Sequence, residues 1–417
     1  MAWVLYVMNR LALLASVLTV FSACDGGLRP LTSMQPVAQS VFASSPRYAV
    51  LHVFSDQGGD GSHPRSRLTA LNGVLYGTTS SYYNTVKSAY QGGTVFSMTT
   101  TGKETVLYRF KGAESELPPG PSTSLAVING TLYGATDGMT GTLFSMTPSG
   151  QKKTFHTFDP LDCNDPTGDL IAVHGVLYAT CNYGGTSVGP SSHGTVVSIT
   201  TAGVVHVLHV FNGGPADGAN PEGGLTYYGG ALYGTTRYGG RRNCNGRYQS
   251  GEGCGTVFRV SLDGRTRILY RFVGSSTGVH PLGGLTVLNG TLYGTTSGGG
   301  DAKYGTVFSL SPGGKETVIH SFAVVTDGYA PSASLLAYHS LLYGTTNGYS
   351  QFNYGTIFSI SPTGAEQILH TFQGGSDGIG PGAALIAYNG IFYGTTSEGG
   401  SSNCDGLGCG TVFRVAP

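Results

Sequence analysis

The sequence predicts an all-β fold: a seven-bladed β-propeller of four-stranded antiparallel blades, closed by its N-terminal strand. Three observations predict it. LYGTT or a near variant recurs seven times, with its tyrosine at Tyr76, Tyr133, Tyr178, Tyr233, Tyr293, Tyr343 and Tyr393. GTVF or a near variant follows each copy, at 93–96, 141–144, 194–197, 255–258, 305–308, 355–358 and 410–413. LHxF or LYxF completes the unit at 51–54, 107–110, 155–158, 208–211, 269–272, 319–322 and 369–372. Spacings of 57, 45, 55, 60, 50 and 50 residues between the tyrosines mark stacked or radial supersecondary units.

Each unit is read as strands a to d. All are short, rich in β-branched and aromatic residues and bounded by Gly, Asn or Pro. Strand a follows a proline, as at 124–128, and an Asn-Gly pair turns it into strand b at Asn72, Asn129, Asn289 and Asn389. Both central residues of a type I′ hairpin need φ > 0, which Asn-Gly supplies. LYGTT is strand b and GTVFS strand c. A second glycine turn leads to strand d, LHxF, at Gly102, Gly150, Gly203, Gly264, Gly314 and Gly364. No useful 3.6-residue periodicity follows residue 46.

The ends of the repeat predict closure. The segment 49–54 is a d strand with no a, b or c before it, and 410–413 is a c strand with no d after it. Pairing the two completes a seventh blade and removes both open edges. Residues 49–417 then give about 53 residues per blade, near the ~40–50 of known propeller repeats.

The pattern NGxLYGTTxxGG, GTVFSxxxxG and LHxFxGGxDGxxP, clearest over 289–331, resembles the GloVer tandem-repeat family of bacterial envelope proteins. The resemblance covers 49–417. It implies a propeller and a variable surface anchor, and it implies no activity. The stretch NGxLYGTT is also similar to part of a kelch blade, but kelch's tryptophan is missing, since the only Trp is Trp3.

Composition narrows the function classes. The chain has 22 basic and 22 acidic residues and no basic stripe, which argues against nucleic acid. Glycine, at 68 copies, suits turns. At the N-terminus, an apolar run over 11–21 is too short for a comfortable span and ends in Phe21-Ser22-Ala23-Cys24. That ending resembles a lipobox. We therefore expect residues 1–23 to be a lipoprotein signal peptide, with Met8 the better start because Arg10 then precedes the apolar run. Cys24 would be lipidated and 24–46 would form a tether, with the propeller at 47–417. The mature protein is expected as a monomer on the bacterial cell envelope, at the outer membrane, touching membrane through the anchor only.

Six cysteines remain, an even number in an exported chain, which predicts disulfides. Cys244 with Cys254, and Cys404 with Cys409, each flank one b–c loop; Cys163 with Cys181 is left by elimination. Zinc is the alternative, but neither CxxC nor clustered His accompanies them.

In a propeller the b–c and d–a loops share one face. The b–c loops hold 13, 4, 12, 18, 8, 8 and 13 residues, while the a–b and c–d turns stay short. Length variation on one face points to binding. The longest loop, 237–253, combines Arg237, Tyr238, Arg241, Arg242, Arg247 and Tyr248, types that stack on sugars or anchor a protein. A glycan or envelope protein is the expected partner.

The d–a loop carries an aspartate at Asp60, Asp162, Asp217, Asp327 and Asp377, with Glu114 and Thr277 in the same slot. Repetition suggests a scaffold role, an Asx-turn that satisfies loop amides. Asp159, Asp162, Asp165 and Asp169 crowd one loop and are the calcium candidate, without the EF-hand spacing; no other cofactor is expected. His52, His156, His209, His320 and His370 recur in strand d, replaced by Tyr108 and Tyr270, which reads as packing rather than metal ligation. Catalytic motifs are poor: GxSxG at 374–378 lies in a repeated loop, not on a strand-to-helix elbow. No catalytic residue is assigned. The alternative to a binding module is a glycan-active hydrolase or lyase using loop-face carboxylates.

Overall fold

The computed structural model describes residues 47–417 apart from 56–58, 81, 85–88, 112–119, 138–140, 188–191, 242–243, 245–252, 275, 324–326, 349–353, 402–403 and 405. Seven four-stranded antiparallel sheets form a ring. No α-helix occurs among the described residues.

The fifth blade shows how sequence becomes strand. Thr286–Leu288, Thr291–Thr296, Thr306–Leu310 and Glu316–Ser321 pair in that order. Asn289 (φ 50°) and Gly290 (φ 78°) make the expected type I′ turn between the first two. Strand a spans only three residues in every blade, shorter than its apolar pattern suggested: Ser124 and Leu125 precede the strand Ala126–Ile128. Strand d is outermost and carries a register shift at the same point in each blade, as between Val307 and Phe308. Such a bulge sharpens the blade's twist.

The ring closes as predicted. Tyr48–Val53 pairs antiparallel with Thr411–Val415, beside Ile391–Thr396 and Ile386–Tyr388. Beyond it, Phe54 N–H donates to the Gly410 carbonyl at 3.0 Å and Ala416 N–H to that of Arg47 at 2.7 Å.

The core lies between blades. Seven apolar clusters each join one blade to the next. The repeat motifs explain why. The phenylalanine ending strand d meets the GTVF phenylalanine of the following blade edge to face: Phe54 with Phe96 at 5.2 Å, Phe110 with Phe144 at 5.5 Å, Phe272 with Phe308 at 5.2 Å. Each contact is worth about 0.5–1.5 kcal/mol beyond its burial. The glycine of LYGTT makes space within the blade: a Cβ on Gly294 would lie 2.6 Å from the Phe308 ring. The third blade departs at both positions together, with Ala179 facing Val197 (register partners in strands b and c), so the extra methyl is matched by a smaller neighbour.

Blades also touch through backbone. The c–d turn glycine approaches the preceding blade's strand d so closely that a Cβ on Gly102 would stand 2.4 Å from the Leu51 carbonyl oxygen. Gly102 adopts φ 97° as well, so two constraints select glycine there. Within each blade the second Thr of LYGTT meets the Thr of GTVF, as in Thr296 Oγ1 to Thr306 Oγ1 at 2.8 Å. The third blade has Cys181 at that rung, bonded instead to Cys163.

Candidate functional site

The b–c and d–a loops lie on one face, and three features concentrate there. The first is covalent. Cys163–Cys181, Cys244–Cys254 and Cys404–Cys409 are all bonded, with Cα separations of 5.3, 5.4 and 5.2 Å. Short ladders tie loop to loop. Asn164–Pro166 extends the third blade by pairing with Val176–Tyr183, and Gly218–Ala219 pairs with Tyr238–Gly239 in the fourth.

The second feature is the channel along the ring axis. In six blades the residue immediately before the strand-a leucine lines its upper part: Arg67, Asp169, Gly224, Gly284, Ser334 and Ala384; in the second blade that residue, Ser124, is buried. Only Arg67 and Asp169 are charged, and they pair, Nε to carboxylate, at 3.3 Å. They come from the first and third blades, so the bridge passes the second. A Cβ on Gly224 would meet Asp169 Cβ at 2.8 Å, so the bare fourth blade admits the aspartate. The adjoining stretch of wall is mixed, with Thr69 beside Ala70, Ile171 and Ile386.

The third feature is the channel mouth, where the repeat loses its identity. The residue after LYGTT is Ser80, Asp137, Asn182, Arg237, Ser297, Asn347 and Ser397 in successive blades. The residue after the d–a proline is Arg65, Ser122, Thr167, Glu222, Leu282, Ser332 and Gly382. Arg237 pairs with Glu222 at 2.9 Å. Arg65 is exposed at the rim and has no ion pair among the described residues. Asp137 accepts the Gly120 amide at 2.8 Å, and Asp165 accepts Asn182 Nδ2 at 3.3 Å. Burial raises both carboxyls above the usual range, and the charge of Asp165 adds to the rise at Asp137.

The sequence candidates distribute over these features. Of the longest loop, Arg242, Arg247 and Tyr248 lie outside the described residues. Arg237 is engaged with Glu222 and sits 5.0 Å over the Tyr238 ring. Tyr238 in turn packs against His280 at 5.2 Å. The Arg241 carbonyl lies 4.0 Å from Sγ of the disulfide-bonded Cys244. The four aspartates face different partners. Asp159 accepts the Leu161 amide at 2.9 Å, Asp162 donates its own amide to Asp159, Asp165 turns to Asn182, and Asp169 bridges the channel. They are not among the metal-ligating groups that converge within 4.8 Å.

The repeated histidines and loop aspartates, read separately from sequence, bond to one another. His Nε2 reaches the aspartate at 3.2 Å in His52–Asp60, 3.4 Å in His209–Asp217, 2.8 Å in His320–Asp327 and 3.1 Å in His370–Asp377. Each carboxylate also accepts a loop amide, as Asp327 does from Ala323 at 2.7 Å, which is the Asx role inferred above. Where Tyr270 replaces His, Thr277 replaces Asp and still accepts the Val273 amide at 3.1 Å. Arg65, Arg67, Asp137 and Glu222 escaped the sequence reading. Aligning the blades column by column and marking charges that occur once would have found them.

Taken together, the molecule is a closed propeller with tight, repeated turns on one face and a clipped, polar, non-repeating mouth on the other. The chain belongs to the Gloeobacter/Verrucomicrobia repeat family, whose model matches residues 37–248 and 246–417. No curated protein matches it. Among solved structures it is similar to a Thermus thermophilus oxidoreductase titled a glucose dehydrogenase. Identity there is 17%, coverage 70% of this chain and 96% of that one, and the TM-score 0.44. It is also similar to a prolyl endopeptidase, at 15% identity, 79% and 45% coverage, and a TM-score of 0.47.

Proposed function

We propose that this is a lipid-anchored cell-envelope propeller that binds a glycan or an envelope protein on its b–c/d–a loop face, without turnover. The loss of repeat identity at the channel mouth carries the reading. A purely structural ring has no use for four residue types in one column and six in the next, whereas a binding surface does. Arg65 at the rim, together with the Arg and Tyr residues in the sequence of loop 237–253, supplies the residue types that dominate binding hot spots.

The test is a glycan array together with a pull-down from envelope extract, using the purified chain. Arg65→Ala combined with Arg242→Ala and Tyr248→Ala should weaken the captured ligand at least tenfold at unchanged Tm. Lys315→Ala, beside a c–d turn, should change nothing. Binding that follows Lys315 instead would reverse the assignment of the face. The anchor is tested separately: Cys24→Ser should abolish lipid labelling and release the protein from membranes, and a mature N-terminus elsewhere would refute it.

One observation favours a hydrolase or lyase instead. Asp137 and Asp165 are two half-buried carboxyls of raised pKa at the mouth, the kind of group that general acid catalysis uses. Polysaccharide cleavage lost in Asp137→Asn and Asp165→Asn would replace the binding reading with this one.

A further inference from the structure

The fifth residue of strand d faces the first residue of the next blade's strand d, and seven such contacts ring the molecule. Their chemistry differs. Lys152 Nζ lies 5.0 Å over the Tyr108 ring, and Tyr48 stacks on His370 at 3.5 Å. By position Glu316 faces Tyr270. By position His156 faces Val205 and His209 faces Thr266. At the two remaining contacts a glutamate from one blade meets a complete His–Asp pair from the blade before. His52, Asp60 and Glu104 bring one ligand atom each within 4.8 Å of one another, and so do His320, Asp327 and Glu366.

We propose that these two clusters are divalent transition-metal sites of the zinc type, each fastening one blade to the next. Three arguments support the assignment. The first is spacing. Ligand atoms that share a tetrahedral zinc at about 2.1 Å stand about 3.4 Å apart. His320 Nε2 is 2.8 Å from Asp327 and 3.9 Å from Glu366, and His52 Nε2 is 3.2 Å from Asp60, values that bracket this separation. The second is chemistry. One imidazole and two carboxylates suit zinc and its neighbours better than calcium, which takes oxygen alone. Three protein ligands leave a fourth position for water. The third is orientation. The far oxygen of Asp327 is held by the Ala323 amide at 2.7 Å, the outer support that aligns a ligating carboxylate. On binding, the proton on His Nε2 moves to Nδ1 or to solvent, and the nitrogen lone pair turns to the metal.

The two sites should differ. Arg109 lies near the first cluster, its Nε donating to the Gly59 carbonyl beside Asp60. The Asp327 side chain of the second is 10% exposed, against 18% for Asp60 in the first. The second site should therefore bind more tightly. His209–Asp217 provides an internal control, since it keeps the His–Asp hydrogen bond and lacks the glutamate.

The experiment titrates Zn²⁺ into chelator-treated full-length protein by calorimetry, in parallel with thermal unfolding. Two Zn²⁺ per chain are expected, the tighter lost in His320→Ala and in the gentler Glu366→Gln, the weaker in His52→Ala. Zn²⁺ should raise Tm by several degrees in the parent and not in the His52→Ala/His320→Ala double variant. His209→Ala should keep both sites. No saturable Zn²⁺ binding, or binding that survives the double variant, would overturn the proposal.

Discussion

At the residue scale, the repeat is a set of matched pairs rather than a set of preferred residues. Gly294 and Phe308 are one pair: a Cβ at 294 would lie 2.6 Å from the ring and 2.9 Å from Leu285 Cδ2. Gly294→Ala should therefore cost about 1–3 kcal/mol by overpacking. Phe308→Val leaves a cavity and should cost less than the ~3–5 kcal/mol of a full truncation to Ala. The double variant recreates the Ala179/Val197 pair of the third blade, so urea unfolding should show it losing less than the sum of the two. Strict additivity would mean that the two positions do not pack. His280 offers a second test at this scale. Burial first, and the Arg237 charge next, lower its pKa from 6.5 to about 4. The unfolded chain then takes up a proton below pH ~6.5 that the folded one refuses until about 4. Its share of stability is complete above pH ~6.5 and is lost as pH falls through that window, on the order of 3 kcal/mol. His280 has φ 54°, and Asn220 holds the same φ at the equivalent place in the preceding blade. His280→Asn should thus fold normally and flatten the acid side of the stability–pH profile; an unchanged profile would show that His280 does not titrate with unfolding.

At the scale of elements, the strands and turns were legible because each repeats a local signal: Asn-Gly for the a–b hairpin, glycine for the c–d turn, alternation in b and c. Strand a was legible only roughly, because its apolar pattern begins before its ladder pairing does: Ser124 and Leu125 precede the paired strand Ala126–Ile128. The disulfides flanking single loops could be read from spacing. Cys163–Cys181 was reached by elimination, although Cys181 standing where six blades carry threonine was itself a clue. The mouth was not legible from loop lengths and aromatic content. Its residues sit one position beyond each motif, and a motif search passes over the columns where the motif ends. The His–Asp pairs stayed hidden for a related reason, since each partner was explained alone by its own strand or turn.

At the scale of the molecule, one strand converts a curved array into a ring. Deleting Tyr48–Val53 exposes the edge of Thr411–Val415 and removes His52, which packs edge to face on Phe54. The shortened protein should aggregate or unfold on light scattering, while deletion of six residues within 31–46 should leave the Tm unchanged. A monomeric, stable product of the first deletion would show that closure contributes little.

That closing strand also sets a timetable. The backbone bond between Arg47 and Ala416 spans 369 positions, so the first strand to be synthesised is the last to find its partner. Until the C-terminus arrives, six blades can assemble by contacts with their neighbours, and the seventh interface waits with its edge open. Loop closure over that distance is slow, and an open edge invites foreign strands in the interval. The cell's burden with this protein thus falls in the moments before locking, when a chaperone would have one short segment to guard. Once locked, the ring leaves neither Tyr48–Val53 nor Thr411–Val415 as an open edge, and the hazard of that interval is gone.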